Sequence, residues 1–219
     1  MPSNDAFVAL TSDVVRSRDV PDRETLQRRI EEALAEANRR FAGELVVPLA
    51  VTLGDEWQGL PSSLEVSYEV DLFLRFRLAP ATLCSGVGRG PISTSVKPRT
   101  ADMDGVCFHR SREALERAKR RRAPGACQVT GDSAADRPAN AISLLLAALA
   151  DAWTERQLRT VAAVRGLGTE RAAAEALGVS QVTIHKSLAA ARGREFLEAL
   201  DELKAFLREH SFTERGGSE

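Results

Sequence analysis

Several things are scarce in this 219-residue chain, and each scarcity excludes something. Cysteine occurs only at Cys84, Cys107 and Cys127, far apart and odd in number. No C-x-x-C pair or Cys/His ligand spacing exists, so a zinc module is excluded. No disulfide framework can be built either, and the expected compartment is a reducing cytoplasm. Long apolar runs are missing: residues 141–150 form the longest, about half of a membrane span, and read as buried helix. No membrane partner is expected. The opening residues lack a basic region followed by an apolar stretch, so no signal peptide is expected. An excess of one charge sign is also missing: the net charge is -1, so the whole-chain balance favours neither nucleic acid nor membrane. Finally, Gly86-Val-Gly-Arg-Gly90 lacks the G-x-G-x-x-G spacing and runs into a β-like stretch, which excludes a Rossmann phosphate loop.

What is present is the composition of a soluble globular protein, with 43% hydrophobic and 28% charged residues. The length suits one large domain, or a medium one plus a small module. Charge is unevenly placed. Between Thr154 and Arg194, seven Lys/Arg face three Glu, a mild electrostatic footprint.

The chain reads as alternating elements. An apolar strand over 7–10 ends at Thr11-Ser12-Asp13. A helix over 23–41 follows, with Leu26, Ile30, Leu34, Ala37 and Phe41 at steps of three or four. Strands over 45–53 and 57–60 flank a Gly54-Asp55 turn, and a second helix over 62–78 stops before Pro80. Strands are expected at 81–88 and 91–96, with the glycines between them serving a hairpin or a close backbone approach. A third helix over 105–122 ends in Lys119-Arg-Arg-Arg122. Residues 123–139, rich in Pro, Gly, Ser and Asp, read as loop and linker around one short strand at 126–130.

Candidate chemistry gathers at the acidic hairpin, in Ala50-Val-Thr-Leu-Gly-Asp-Glu-Trp-Gln-Gly-Leu60. Asp55 at its tip and Asp13 at the end of the first strand make a Mg²⁺ platform if the two strands end side by side. Otherwise both are solvated turn acids. Arg16 and Arg18 suit phosphate oxygens through their planar forks, or simply pair with Asp13, Asp19 and Asp22. Lys119 is either a phosphate ligand or a cation placed against the helix dipole.

Ser12-Asp13, Leu53-Gly-Asp-Glu-Trp57, Gly86-Val-Gly88 and Ala114-Leu-Glu-Arg-Ala-Lys119 occur in that order. With Gly88-Arg-Gly-Pro-Ile92 and Gly105-Val-Cys-Phe-His109, they resemble the SatD family. More distantly, the blocks look like GGDEF and class III nucleotidyl cyclase domains. The resemblance implies a mixed α/β (α+β) fold, a ferredoxin-like palm with an antiparallel β-α-β-β-α-β sheet. It also implies two metal-holding acids and a nucleoside triphosphate. Carried over, Asp13 and Asp55 fall on the metal acids and Glu56 on the acid beside them. Lys119 falls on the phosphate-contacting lysine. Leu53 departs from the pattern, standing where the cyclase motif has its first glycine; a side chain there crowds a nucleotide lying on the turn.

Beyond residue 139 the pattern is helical. Thr154 caps one helix, with Leu158, Val161 and Val164 as its buried stripe, and Gly166-Leu-Gly168 breaks it. Thr169 and Ser180 cap two more around Gly178. The run Ala172-Ala-Ala-Glu-Ala-Leu-Gly-Val-Ser-Gln-Val-Thr-Ile-His-Lys resembles helix-turn-helix proteins. Val179, Ile184 and Leu188 are expected to lock the second helix. Gln181, Val182, Thr183, His185 and Lys186 then face outward, where Gln181, Thr183, His185 and Lys186 suit contacts with duplex DNA. A last helix with Phe196, Leu197, Leu200, Leu203, Phe206 and Leu207 on one side pairs with its twin in a homodimer or packs back on the palm.

The expected organisation is a palm-like domain over 1–135 and a helix-turn-helix domain over 139–212. The expected function is a cytoplasmic transcriptional regulator that binds DNA and senses a Mg²⁺–nucleotide. The alternatives are a nucleotidyl cyclase or transferase acting on a nucleoside triphosphate, and an interaction protein with neither site active.

Overall fold

The computed structural model describes residues 6–121 and 125–210. The ends expected to be loose, before residue 6 and from Thr213, lie outside the described residues, as does Arg122. The chain runs β1 (Phe7–Val14), a 3-10 turn (Ser17–Asp19), α1 (Arg23–Arg40), β2 (Leu45–Leu53), β3 (Glu56–Pro61), α2 (Leu64–Leu78), β4 (Leu83–Gly90), α3 (Val106–Lys119) and β5 (Ala126–Val129). The sheet order is β2-β3-β1-β4-β5. Strand β1 is antiparallel to β3 and β4, and β2 is antiparallel to β3. The stretch from β1 to β4 is therefore the expected ferredoxin-like unit. The sheet is not antiparallel throughout, because α3 acts as a crossover that returns β5 parallel to β4.

Burial follows from the alternation of side chains along each strand. On one face Val8, Leu10, Trp57 and Val87 meet α1 and α2, including Ile30, Leu34, Leu72 and Leu74. On the other face α3 covers two smaller clusters, around Ala9 with Cys107 and around Cys84 with Leu115. All five residues of the expected α1 stripe are buried, and Asp22 caps the helix by accepting from Thr25 N at 2.9 Å.

Two sequence expectations fail here. Residues 91–96 are not a strand; Ile92 makes one isolated bridge to Gly105. The glycine run is instead the second half of β4, and β1 pairs with it without a break from Val14 to Phe7. The reason is on α3. A Cβ at Gly86 or Gly88 would strike the α3 backbone at Ser111, with Leu115 also hit at Gly86 and Cys107 at Gly88. Only hydrogen lets the helix lie this close to the sheet. Second, residues 133–139 are not linker. Helix α4 (Ser133–Asp151) starts there and crosses the expected 135/139 junction. Asp132 caps it, and buried Asp136 accepts hydrogen bonds from Thr130 N at 2.9 Å and Gln128 Nε2 at 3.1 Å. These contacts outweigh the helix bond forfeited at Pro138.

Each edge strand has one residue capped by an asparagine. On β2, Asn38 of α1 donates to Leu49 O and accepts from Leu49 N, at 2.9 and 2.8 Å. On β5, Asn140 of α4 does the same with Gln128, again at 2.9 and 2.8 Å. Each carboxamide satisfies backbone groups that would otherwise be open to another strand.

The remaining helices are α5 (Glu155–Leu167), α6 (Glu170–Leu177), α7 (Gln181–Ala191) and α8 (Gly193–His210). Thr154, Thr169 and Ser180 are the N-caps as expected. Val161, Ala173, Ala174, Ile184 and Leu188 are buried between α5, α6 and α7. Val179 is not; at 40% exposed it points away from this packing. Helix α8 buries Phe196, Leu200, Leu203 and Leu207 against α4 and α2. Its stripe is thus used within the chain rather than on a twin. Arg208 reaches Glu65 at 2.9 Å, and Arg165 joins Glu69 of α2 to Asp201 of α8. Trp153 donates to Ala191 O at 2.7 Å and meets Phe196 edge-on, ring centroids 4.8 Å apart. One continuous hydrophobic core consequently runs from Val8 to Leu207.

Candidate functional site

Register places the acids. Asp13 lies opposite Glu56 on β3 and Cys84 on β4, so these three side chains share the α3 face. Asp55 sits one residue before Glu56, in the two-residue turn that joins β2 to β3. Gly54 takes φ 60° there, as the first position of such a tight turn requires. The turn folds Asp55 back over the end of β1, and its carboxyl group is within hydrogen-bonding reach of Asp13. Acids separated by 42 positions in sequence therefore converge.

Their environment splits the pair. Burial pushes Asp13 above the ordinary carboxylate range; Lys119 opposes this, and the Asp55 charge reinforces it. Burial also disfavours the Asp55 charge, but hydrogen bonds from the Asp13 carboxyl and from Ser17 outweigh it and hold Asp55 low. One oxygen, Asp55 Oδ2, is buried and has no hydrogen-bond partner. An orphaned carboxylate oxygen is costly and suits a cation.

Helix α3 supplies the counter-charges. Lys119 Nζ lies 2.6 Å from Asp13 Oδ2, which leaves Asp13 paired with Lys119 rather than with Arg16. Two turns earlier on the same face, Arg112 grips both oxygens of Glu56, with Nη2 to Oε1 at 2.6 Å. Thr52 donates to the same carboxylate at 3.1 Å. Beside Asp13 opens a cleft of about 610 Å³, lined by Val14, Val15, Arg16, Thr82, Cys84, Lys119, Arg121 and Asp151. Arg16 holds a left-handed backbone, φ 53°, at its edge. Arg18 is exposed on the 3-10 turn and is not among the lining residues.

The structure thus puts Asp13 between Asp55 on one side and Lys119 and Arg16 of the cleft on the other, and keeps Glu56 close but held by Arg112; Asp55 itself is not among the cleft-lining residues. Sequence reading missed Arg112, Arg121, Ser17 and Asp151. Arg112 had a signal, since it precedes Lys119 by seven residues on a helix; the others are brought in by tertiary packing alone. Among the described residues no group of three or more His, Cys, Asp or Glu could hold a metal ion.

The second set of expected residues lies on α7. Gln181, Val182, His185 and Lys186 are exposed, and Thr183 is half-buried with its hydroxyl 2.9 Å from that of Ser180. His185 Nδ1 lies 2.9 Å from Arg194 Nη2, and both approach Glu170. A groove of about 530 Å³ beside the α7 N-terminus is lined by Arg156, Arg159, Val179 and Thr183.

A family model described as the SatD family matches residues 7–202. The chain belongs to the SatD family. Among curated proteins, none matches this SatD chain. Solved structures similar to it include the monomeric guanylyl cyclase domain of the RhoGC fusion protein from the aquatic fungus Blastocladiella emersonii. That domain is 11% identical with a TM-score of 0.40, the match covering 57% of the SatD chain and 81% of the domain. The active GGEEF domain of a diguanylate cyclase from Vibrio cholerae is 17% identical, with a TM-score of 0.34 and coverage of 56% and 82%. A regulator of polyketide synthase expression from Bifidobacterium adolescentis is 16% identical, with a TM-score of 0.26 and coverage of 94% and 86%. These are distant likenesses and assign no residue of the SatD chain a role. No helix among its described residues is long and apolar enough to cross a membrane.

Proposed function

We propose that the SatD chain is a DNA-binding regulator whose palm, residues 1–135, binds a divalent cation with a phosphorylated nucleotide. The observation that carries the palm reading is the convergence of Asp13 and Asp55, with a buried unpartnered oxygen on Asp55 and the cations Lys119, Arg16 and Arg121 in the cleft on the Asp13 side. Two carboxylates fit Mg²⁺, which commonly takes one or two from the protein and completes its shell with water and phosphate oxygens. When bound, the ion supplies neutralisation of phosphate charge. A cation there competes with Lys119 for Asp13, freeing the ammonium group to meet phosphate together with Arg16. Nucleotide-dependent thermal stabilisation that needs Mg²⁺ and is lost in Asp55→Asn tests this. No stabilisation by any nucleoside triphosphate with Mg²⁺ or Mn²⁺ would overturn it.

The helical part, residues 139–212, binds duplex DNA in this reading. Support comes from the exposed Gln181, Val182, His185 and Lys186 on a helix capped by Ser180, next to Arg156 and Arg159. Amide and ammonium groups at such positions suit adenine, guanine or phosphate, while Arg156 and Arg159 suit backbone phosphates. Anisotropy with duplex DNA at low salt is expected to titrate and to weaken steeply with added salt. Lys186→Ala is expected to weaken it about tenfold. A titration that stays flat into tens of micromolar removes the DNA reading.

The alternative, a nucleotidyl cyclase or transferase, uses the same two acids. Leu53 is 79% exposed at the tip beside Asp55, where it crowds a nucleotide lying on the turn; this weighs against binding in the cyclase pose and against turnover even more, so the nucleotide of the binding reading lies off the turn, toward the cleft beside Asp13. Cyclic or linear product from labelled ATP or GTP with Mg²⁺ would decide for the enzyme.

A further inference from the structure

Helix α4 seals the β5 edge with one side and turns a second apolar side to solvent. Leu145 is 66% exposed, and Leu144 and Leu149 are each 37% exposed. Ala141 and Ala148 are exposed between them. From Pro138 to Ala150 there is no charged residue. This face is separate from the α8 stripe, which is spent inside the chain, and from the side of α4 that carries Asn140 to β5. At spacings of three, four and seven residues, 137, 141, 144, 145, 148 and 151 share one flank of the helix.

The charges at the ends of this face say what covers it. Arg137 stands at the N-terminal end and Asp151 at the C-terminal end, both exposed. Among the described residues neither has an ion-pair partner in its own chain. They lie nearly equidistant from the midpoint between Leu144 and Leu145, about 21 Å apart along the axis. An antiparallel two-fold pairing of α4 with a second α4 therefore sets Arg137 of each copy opposite Asp151 of the other. The same pairing packs Leu144 and Leu145 near the axis, with Ala141 and Ala148 allowing close approach. A parallel pairing would instead oppose like charges. The face is self-complementary in sign, as a two-fold interface must be.

We infer that α4 is a homodimer surface, with a second copy of this chain as its occupant. Because Asp151 also lines the cleft beside Asp13, Arg137 of the second copy arrives at the cleft rim and adds a cation to it. One helix pair is smaller than a standard interface, so the dimer is concentration-dependent. This inference does not rest on the nucleotide or DNA readings.

Sedimentation of the full chain over a range of concentrations tests it. A monomer–dimer equilibrium is expected, with Leu145→Glu raising the dissociation constant at least about tenfold while leaving the circular dichroism and melting temperature of the monomer unchanged. Arg137→Glu and Asp151→Arg are each expected to weaken the dimer, and the double variant to restore it; rescue is specific to the antiparallel arrangement and independent of Leu145. A chain that stays monomeric at all concentrations, or a dimer indifferent to Leu145→Glu, overturns the proposal. So does failure of the double variant to recover what the single charge reversals lose.

Discussion

Asp13 and Asp55 carry opposite pH signatures although they touch. Asp13 is raised by burial, so its contribution to stability is fullest below the ordinary carboxylate range and is lost as pH rises through its raised value. Asp55 is held low, so its contribution is present above the ordinary range and is lost as pH falls through its lowered value. A cation needs both groups ionised. Affinity for Mg²⁺ should therefore fall on acidification through the raised Asp13 value, before Asp55 titrates. Calorimetric titration at successively lower pH should show this loss. Asp13→Asn should bind weakly throughout and lack the acid-side decline. The two acids themselves were legible as residue types at strand ends. Their convergence was not, because it depends on which strands become neighbours. Nor was the Glu56–Arg112 pair, which ties the third acid to α3 and takes it out of the shared site.

Element boundaries were readable where one periodicity dominated, as in α1, with its apolar stripe and Asp22 cap, or α5, with Thr154 and Gln157 bonded reciprocally in a capping box. They were unreadable where tertiary contact set the rule. The second half of β4 looks like a loop because alternate glycines have little β-propensity, yet they are what α3 requires. Gly88→Ala should cost about 3 kcal/mol or more, read as a drop in the urea midpoint, since a methyl group meets main chain that cannot move aside. The start of α4 looks like a linker by composition, and only the hydrogen bonds to Asp136 explain its order. Asn140→Ala should cost about 2 kcal/mol through two lost backbone partners, and should promote association through β5, visible as light scattering. Asn140→Asp keeps only the acceptor and should recover part of the stability.

The whole molecule is tied together more tightly than its sequence suggests. Composition divides it near residue 135, but α4 spans that point, α8 returns to α2, and the core is continuous. Its two tryptophans sit one on each side of the expected division: Trp57 fully buried in the palm and Trp153 against Ala191 and Phe196. In the unaltered chain, tryptophan fluorescence and far-UV circular dichroism should report the same denaturant midpoint in a single transition. Two separated transitions would mean that the helical part unfolds by itself. The paired asparagine clamps have a further consequence at this scale. At Leu49 on one rim and Gln128 on the other, an incoming strand finds the main-chain donor and acceptor already taken, so lateral growth of the sheet meets an interruption on each side.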